Sequence, residues 1–352
     1  MLRVRQAGAR LAAVSLFLLG ACQSQQAPPS PAAPPAQAGP RLFVTNERSG
    51  DMSVIALDSR KVVATLRLGK RPRGIRVGPA GNLLYIALSG SPFAPPGVDE
   101  SKLPPPDRSA DGIGVVDARA LKLVKVIPAG TDPEQLAVSK DGGRLFVANE
   151  DAATTSVVLA ATGKILAALP VGGEPEGVEL HPDGGVVYVT SEEDGEVFAI
   201  ETGRPSILGK VKVDARPRST AFLPDGTRAY VTCENGGSVA VLDARKHSLL
   251  RKIKLPEGAR PMGAVASPDG KNVYVTTGRF KSIVVIDTEK DQVRGSIEVG
   301  ERPWGIAISP DGRTLYTANG PSNDVAIVDI ASRTITARIP VGDGPWGVVL
   351  LP

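Results

Sequence analysis

The chain has 352 residues, of which 42% are apolar and 22% charged, a balance that suits a folded core and excludes a disordered chain. The formal charge of +4 misleads, because residues 1–21 hold three arginines and no acid; the remainder has 38 basic against 37 acidic residues, and this net +1 argues against a nucleic-acid binder. Two cysteines cannot build a disulfide framework, two histidines do not make a histidine-rich metal centre, and 39 glycines with 31 prolines favour turns over long helices.

Arg3, Arg5 and Arg10 precede a short apolar run, Leu11 to Gly20, too short to span a bilayer and suited to a signal peptide over residues 1–21. It ends in Leu19-Gly20-Ala21-Cys22, which resembles the bacterial lipobox and marks Cys22 for lipidation; the alternative is an ordinary signal peptide with a chance cysteine. Residues 22–40 carry six prolines and no charge, so an extended tether is expected there.

From residue 41 onward one unit repeats. Proline recurs at 72, 133, 175, 217, 261, 303 and 345, with spacings of 61, 42, 42, 44, 42 and 42. Within one unit, Trp304 to Ser309 predicts a strand and Pro310-Asp311-Gly312 a turn. Arg313 to Ala318, Val325 to Asp329 and Thr334 to Val341 predict three more strands. Four strands per 42-residue unit is the arithmetic of a propeller blade. Phe43, Tyr85, Phe146, Tyr188, Tyr230, Tyr274 and Tyr316 hold the same place in each second strand, as packing between neighbouring sheets would require. The chain begins at Arg41 with a second strand and ends with a lone first strand, Trp346 to Leu351, so both termini should share a seventh blade. The expected fold is all-β: a seven-bladed propeller over 41–352, with four antiparallel strands per blade and an insertion at 89–112.

The segments FVTNE (43–47), FVANE (146–150), YVTSE (188–192), YVTCE (230–234) and YVTT (274–277) resemble the YVTN-type β-propeller repeats of bacterial surface and periplasmic proteins. The RPRGI, EPEGV and RPWGIAISPDG units resemble most closely the propeller proteins associated with pyrroloquinoline quinone-dependent catabolism. In such propellers the loops leading into the innermost strand, and those after the second, surround one mouth of the central channel. The resemblance therefore implies a mouth carrying Arg73, Glu134, Glu176, Arg218, Arg302, Trp304 and Trp346, with Glu150, Glu192, Glu234 and Asn319 beside them. Such a ring suits a polar ligand or a partner's charged tail, and equally suits ion pairs that fix blade register. The proline-rich insertion falls on the same face, where Phe93 and Pro104 to Pro106 are placed as a lid or docking arm, or as an idle excursion.

No nucleophile elbow, zinc motif, phosphate loop or cofactor signature is present, and no metal site is expected. The resulting expectation is a monomeric, non-catalytic scaffold, lipid-anchored to a membrane on the periplasmic or cell-surface side. It would bind a protein partner or small ligand at the mouth, as an accessory to quinone-dependent alcohol oxidation with a dehydrogenase or cytochrome as partner. The alternative is a lactonase-like hydrolase, since some propellers resembling these repeats are lactonases; Arg73 or Arg218 with Glu134 or Glu176 would then supply polarisation and base.

Overall fold

Short apolar runs, buried for four or more successive residues in every second and third strand and punctuated by Pro-Asp-Gly turns, produce strands of mostly six or seven residues. The structure is a computed structural model and describes residues 39–93, 98 and 102–352. Cys22 and the leader lie outside the described residues.

The first three strands are β1 (Arg41–Asn46), β2 (Asp51–Ala56) and β3 (Lys61–Arg67). Six groups of four follow: β4 (Pro72–Val77) to β7 (Lys122–Ile127), β8 (Pro133–Val138) to β11 (Ile165–Pro170), β12 (Pro175–Leu180) to β15 (Ser206–Lys212), β16 (Pro217–Phe222) to β19 (Ser248–Lys254), β20 (Ala264–Ala266) to β23 (Gln292–Glu298), and β24 (Pro303–Ile308) to β27 (Thr334–Pro340). The last strand, β28 (Pro345–Leu351), joins the first three in the order β28-β1-β2-β3, pairing Arg41 with Leu351 and Phe43 with Val349. The fold is thus the expected seven-bladed propeller of four antiparallel strands per blade, closed by both termini. Consecutive inner strands β28, β4, β8, β12, β16, β20 and β24 contact one another around the ring. One departure is β20, which begins at Ala264 and not at Pro261, after a lead-in loop two residues longer than in neighbouring units.

The once-per-repeat aromatics are all buried, and each packs against the next blade: Tyr188 meets Phe222, Val231 and Leu242, and Tyr316 meets Leu42, Val44 and Ile55 across the closure. Seven apolar clusters, one per blade boundary, make up the core. This is the division of labour expected when each sheet has two faces and only neighbours to cover them.

Two sequence motifs combine into one latch. The threonine of the YVTN-type segment receives the N–H of the residue two places after the inner-strand proline of its own blade. Its hydroxyl donates to a carbonyl on the next inner strand. Gly347 N–H reaches Thr45 Oγ1 at 2.9 Å, and Thr45 Oγ1 donates to the Arg73 carbonyl at 2.7 Å. Thr276 repeats this with Gly263 N–H (2.9 Å) and the Trp304 carbonyl (2.7 Å), and Thr232 with Ser219 N–H (3.0 Å) and the Met262 carbonyl (2.6 Å). Glycine is required where the strands come closest: a Cβ on Gly347 would sit 2.7 Å from the Arg73 carbonyl oxygen, and one on Gly305 2.4 Å from that of Trp346. The latch fixes the backbone of Arg73 and Trp304, and so aims their side chains into the channel.

Candidate functional site at the channel mouth

The residue before each inner-strand proline adopts a left-handed backbone at Arg71, Asp132, Glu174, Arg216 and Arg302, with φ between 37° and 58°. Such a conformation costs a non-glycine residue about 1 kcal/mol or more and persists only where neighbours hold it. Here the carbonyl accepts an N–H from the residue after the second strand, as in Glu150 to Asp132 at 3.0 Å and Glu234 to Arg216 at 2.8 Å. The two sets of loops are thereby tied together around the mouth.

Arg73, Glu134, Glu150, Glu176, Arg218, Arg302, Trp304 and Trp346 line one cavity of about 440 Å³ at this mouth, together with Asp132, Arg71, Phe93 and Pro104 to Pro106. A second cavity of about 440 Å³ continues down the channel, with Phe222, Ile308 and Leu350 in its walls; Glu176, Arg218, Trp304 and Trp346 border both chambers. Trp304 and Trp346 pack with 5.3 Å between ring centroids and their planes tilted by 33°. The guanidinium of Arg218 lies 4.8 Å, and that of Arg302 5.3 Å, from the Trp304 ring centre.

The remaining expected residues stand apart from this cavity. Glu192, on the far side of Arg218, pairs with Arg218 and lies 2.8 Å from Arg216, while Glu234 lies 3.3 Å from Arg216 and 3.5 Å from Arg218. Asn319 is fully buried inside its blade and donates to Asp324 Oδ1 at 2.6 Å, which is turn architecture. Cys233 is buried, and that burial pushes its thiol up to about 12, so it is no nucleophile.

The densest electrostatics surround Arg73. Its guanidinium contacts Asp132 at 2.7 Å, Glu134 closely, and Glu150 at 4.0 Å. Burial opposes its charge, but Glu134 and Asp132 outweigh that and strengthen its hold on the proton. Asp132, Glu134 and Glu150 lie within 4.8 Å of one another, a spacing that metal ligands also show, but Arg73 reaches all three and supplies the positive charge such a group needs.

Glu134 is 1% exposed and, its ion pair with Arg73 aside, receives no hydrogen bond. Burial pushes its carboxyl well above the usual range, only partly offset by Arg73 and reinforced by the charges of Glu176 and Glu150. A hydrogen bond between the Glu134 and Glu150 carboxyls raises Glu134 further and favours the proton on Glu134 over Glu150. Burial also acts against the Glu150 carboxylate, but the bond from Glu134 and the charge of Arg73 overcome it and hold Glu150 below the usual range. Two neighbouring carboxyl groups are thus driven apart in acidity, which is how acid and base roles are assigned. Burial raises Glu176 as well, against the pull of Arg218 and Arg73.

Arg302 differs from the other mouth arginines. Among the described residues no carboxylate lies within 4.0 Å of it, and burial, with Arg218 and Arg279 nearby, makes its charge less favourable than usual. A guanidinium in that state is suited to an incoming anion.

The repeat pattern did not point to Ser89 and Asp111, at the two ends of the insertion. The Ser89 hydroxyl donates to Asp132, and Asp111 accepts the N–H of Asp132 at 3.2 Å and that of Gly90 at 2.6 Å. The insertion is therefore strapped to the acidic group, and Phe93 and Pro104 to Pro106 stand at the rim of the cavity. Arg48 lies 5.7 Å from the Phe93 ring centre.

Comparison with known proteins bears on what such a mouth does. The family model for the seven-bladed β-propeller lactonases matches residues 205–338, and that for the choice-of-anchor I domain matches residues 105–256. No curated protein matches the sequence. Among solved structures, the chain is similar to hydrazine synthase of Kuenenia stuttgartiensis, at 22% identity and a TM-score of 0.67, covering 78% of this chain and 88% of that one. It is also similar to a candidate 6-phosphogluconolactonase of Bacteroides uniformis (18% identity, TM-score 0.70, 89% of this chain and 100% of that one). A functionally unknown protein of Desulfotomaculum acetoxidans is a third (14%, TM-score 0.72, 88% and 98%). At these identities the structural likenesses speak for the propeller fold. The expectation of a non-catalytic scaffold is corrected by the lactonase family match: the likeness of this chain is to a propeller that carries out chemistry.

Proposed function

We propose that this protein is a lactone hydrolase and that the reaction takes place at the channel mouth. The observation that carries this reading is the Glu134–Glu150 pair, two adjoining carboxyl groups whose acidities are pushed in opposite directions, in a cavity that also presents Arg302, which among the described residues has no carboxylate within 4.0 Å. The lactonase family match supports it.

Glu150, which is 31% exposed at the side chain, takes a proton from water as the water oxygen bonds to the lactone carbonyl carbon. Negative charge develops on the carbonyl oxygen, and Arg302 is the group suited to receive it. The ring C–O bond then breaks and the departing oxygen takes a proton from Glu150, the exposed member of the hydrogen-bonded pair. Glu150 thereby gives up the proton it took from water and is ionised again, with Glu134 still bonded to it, and the product leaves as a hydroxy acid. Arg73 acts by position, since it keeps both carboxyls in place. The paired Trp304 and Trp346 form an apolar wall for the ring of the substrate.

The leader over 1–21, the lipobox at Cys22 and the tether over 22–40 support an enzyme exported and held on a membrane by lipid, and the YVTN-type segments fit such a setting. The reading is tested with purified protein and a panel of five- and six-membered lactones, with and without divalent metal. At least one is expected to open faster than in buffer, and Arg302→Ala should lower kcat/KM by about 10²–10³-fold without changing the melting temperature. A protein that opens none of them contradicts the reading.

A further inference from the structure

We propose that the end of the propeller opposite the mouth docks on an anionic lipid surface through a collar of apolar and basic residues on its outer strands. In an antiparallel blade, the turns between strands two and three and those between strands three and four lie at opposite ends of the sheet. The loops entering β4, β8 and the other inner strands are at the mouth. The turns leading into the outer strands β3, β7, β11, β15, β19, β23 and β27 are therefore at the far end.

Every outer strand begins with a β-bulge at the same point. Its extra residue is Val63, Val124, Leu166, Leu208 and Leu250 in five consecutive blades, and Arg294 and Thr336 in the other two. A bulged residue has no partner across the ladder. These five apolar side chains are 41–56% exposed. Next to them Val62, Ile165, Ile207 and Leu249 are exposed too. The two remaining blades show what plain edge protection looks like, since the exposed positions of β23 and β27 carry no large apolar residue. Lysine and arginine on an edge strand are explained by the need to prevent pairing with other chains. Paired exposed valines and leucines work against that need, and a repeated array of them calls for a partner.

Charge indicates which partner. The five strands β3, β7, β11, β15 and β19 contain no acidic residue. Each apolar pair is preceded by an exposed base, namely Lys61, Lys122, Lys164, Arg204 and Lys246, none of which forms a salt bridge among the described residues. Acidic residues share these turns, namely Asp58, Asp117, Glu201 and Asp243, and Asp117 and Asp243 accept backbone N–H groups there; along the outer strands themselves the charged neighbours of the apolar residues are all basic. Alternating apolar and basic side chains match the acyl boundary and the phosphates of an anionic bilayer. The chain also enters the propeller at this end: Pro40 accepts the N–H of Leu57 in the turn before β3, and Arg41 pairs with Ala56. Contact through this end would leave the mouth turned away from the lipid. The inference is independent of the lactonase reading.

The test is sedimentation of the full chain with phosphatidylcholine vesicles, with and without added phosphatidylglycerol. It compares the parent with the variant Val63→Ser, Val124→Ser, Leu166→Ser, Leu208→Ser, Leu250→Ser. Both share residues 1–38, so the difference between them reports on the collar. The parent should prefer phosphatidylglycerol vesicles, and the variant should bind them about tenfold or more weakly with an unchanged melting temperature. A second variant, Lys61→Glu, Lys122→Glu, Lys164→Glu, should lose the preference for anionic lipid, and it decides the matter if the first does not fold. Equal binding by parent and folded variants overturns the proposal. So does a parent that ignores vesicles but self-associates through the same five residues, which would assign the collar to a second copy of the chain.

Discussion

Replacing Glu150 by Gln is expected to lower kcat/KM for lactone opening by about 10²–10⁴-fold, the usual contribution of a positioned general base. The amide keeps the volume and can still hydrogen-bond Glu134, so the propeller should melt as before. Glu134→Gln tests the partner: the amide still donates a hydrogen bond to Glu150 but cannot ionise, so kcat/KM should fall far less and the alkaline fall of the pH profile should disappear. Steady-state rates of the two variants across a range of pH separate the two roles. Equal losses in both variants at every pH would contradict this division of roles.

The second large effect concerns closure. Deleting residues 343–352 removes β28, the inner strand of the closing blade, with its register against β1 and its contacts with β24 and β4. Trp346 and Val348 are buried, and Leu350 packs with Tyr316 and Val44. At about 1.5–3 kcal/mol for each large apolar side chain returned to water, the loss rivals the whole stability of many domains, about 5–15 kcal/mol. Circular dichroism should show a melting midpoint lower by well over about 10 °C, or no cooperative transition. An unchanged midpoint would show that the ring does not depend on its terminal zipper. Activity should vanish as well, since Trp346 lines the mouth.

The propeller was legible because its physics repeats. Each blade must cover two sheet faces with its neighbours, so Tyr188, Tyr230 and their counterparts recur at one place, and the inner strands must pass closely, so Gly305 and Gly347 recur after a proline. The mouth was legible as a place but not as a mechanism. Glu150, Glu192 and Glu234 occupy equivalent positions after their second strands, yet only Glu150 lines the cavity. Arg218 captures Glu192 and lies close to Glu234, and a period in sequence does not say which neighbouring charge a side chain will meet. The split between Glu134 and Glu150 depends on burial and on Arg73, which is 61 residues before Glu134 and one blade away. Two histidines in the whole chain give no sign of a base suited to neutral pH, whereas a carboxyl group beside a less acidic neighbour can supply one, and that inequality is not written in the sequence. Ser89 and Asp111 escaped notice because the insertion interrupts the repeat at the very point where it is fastened to Asp132.

The hydrolytic account rests most directly on the dependence of kcat/KM on pH for a lactone the protein opens, corrected for the rate in buffer. With Glu150 required as the anion and Glu134 as the neutral donor that keeps it so, the profile should be a bell. Activity should fall on the acid side only below the usual carboxylate range, as Glu150 takes up a proton, and on the alkaline side well above that range, as Glu134 loses its own. A rate that simply climbs with hydroxide concentration, with no plateau and no alkaline fall, would contradict it.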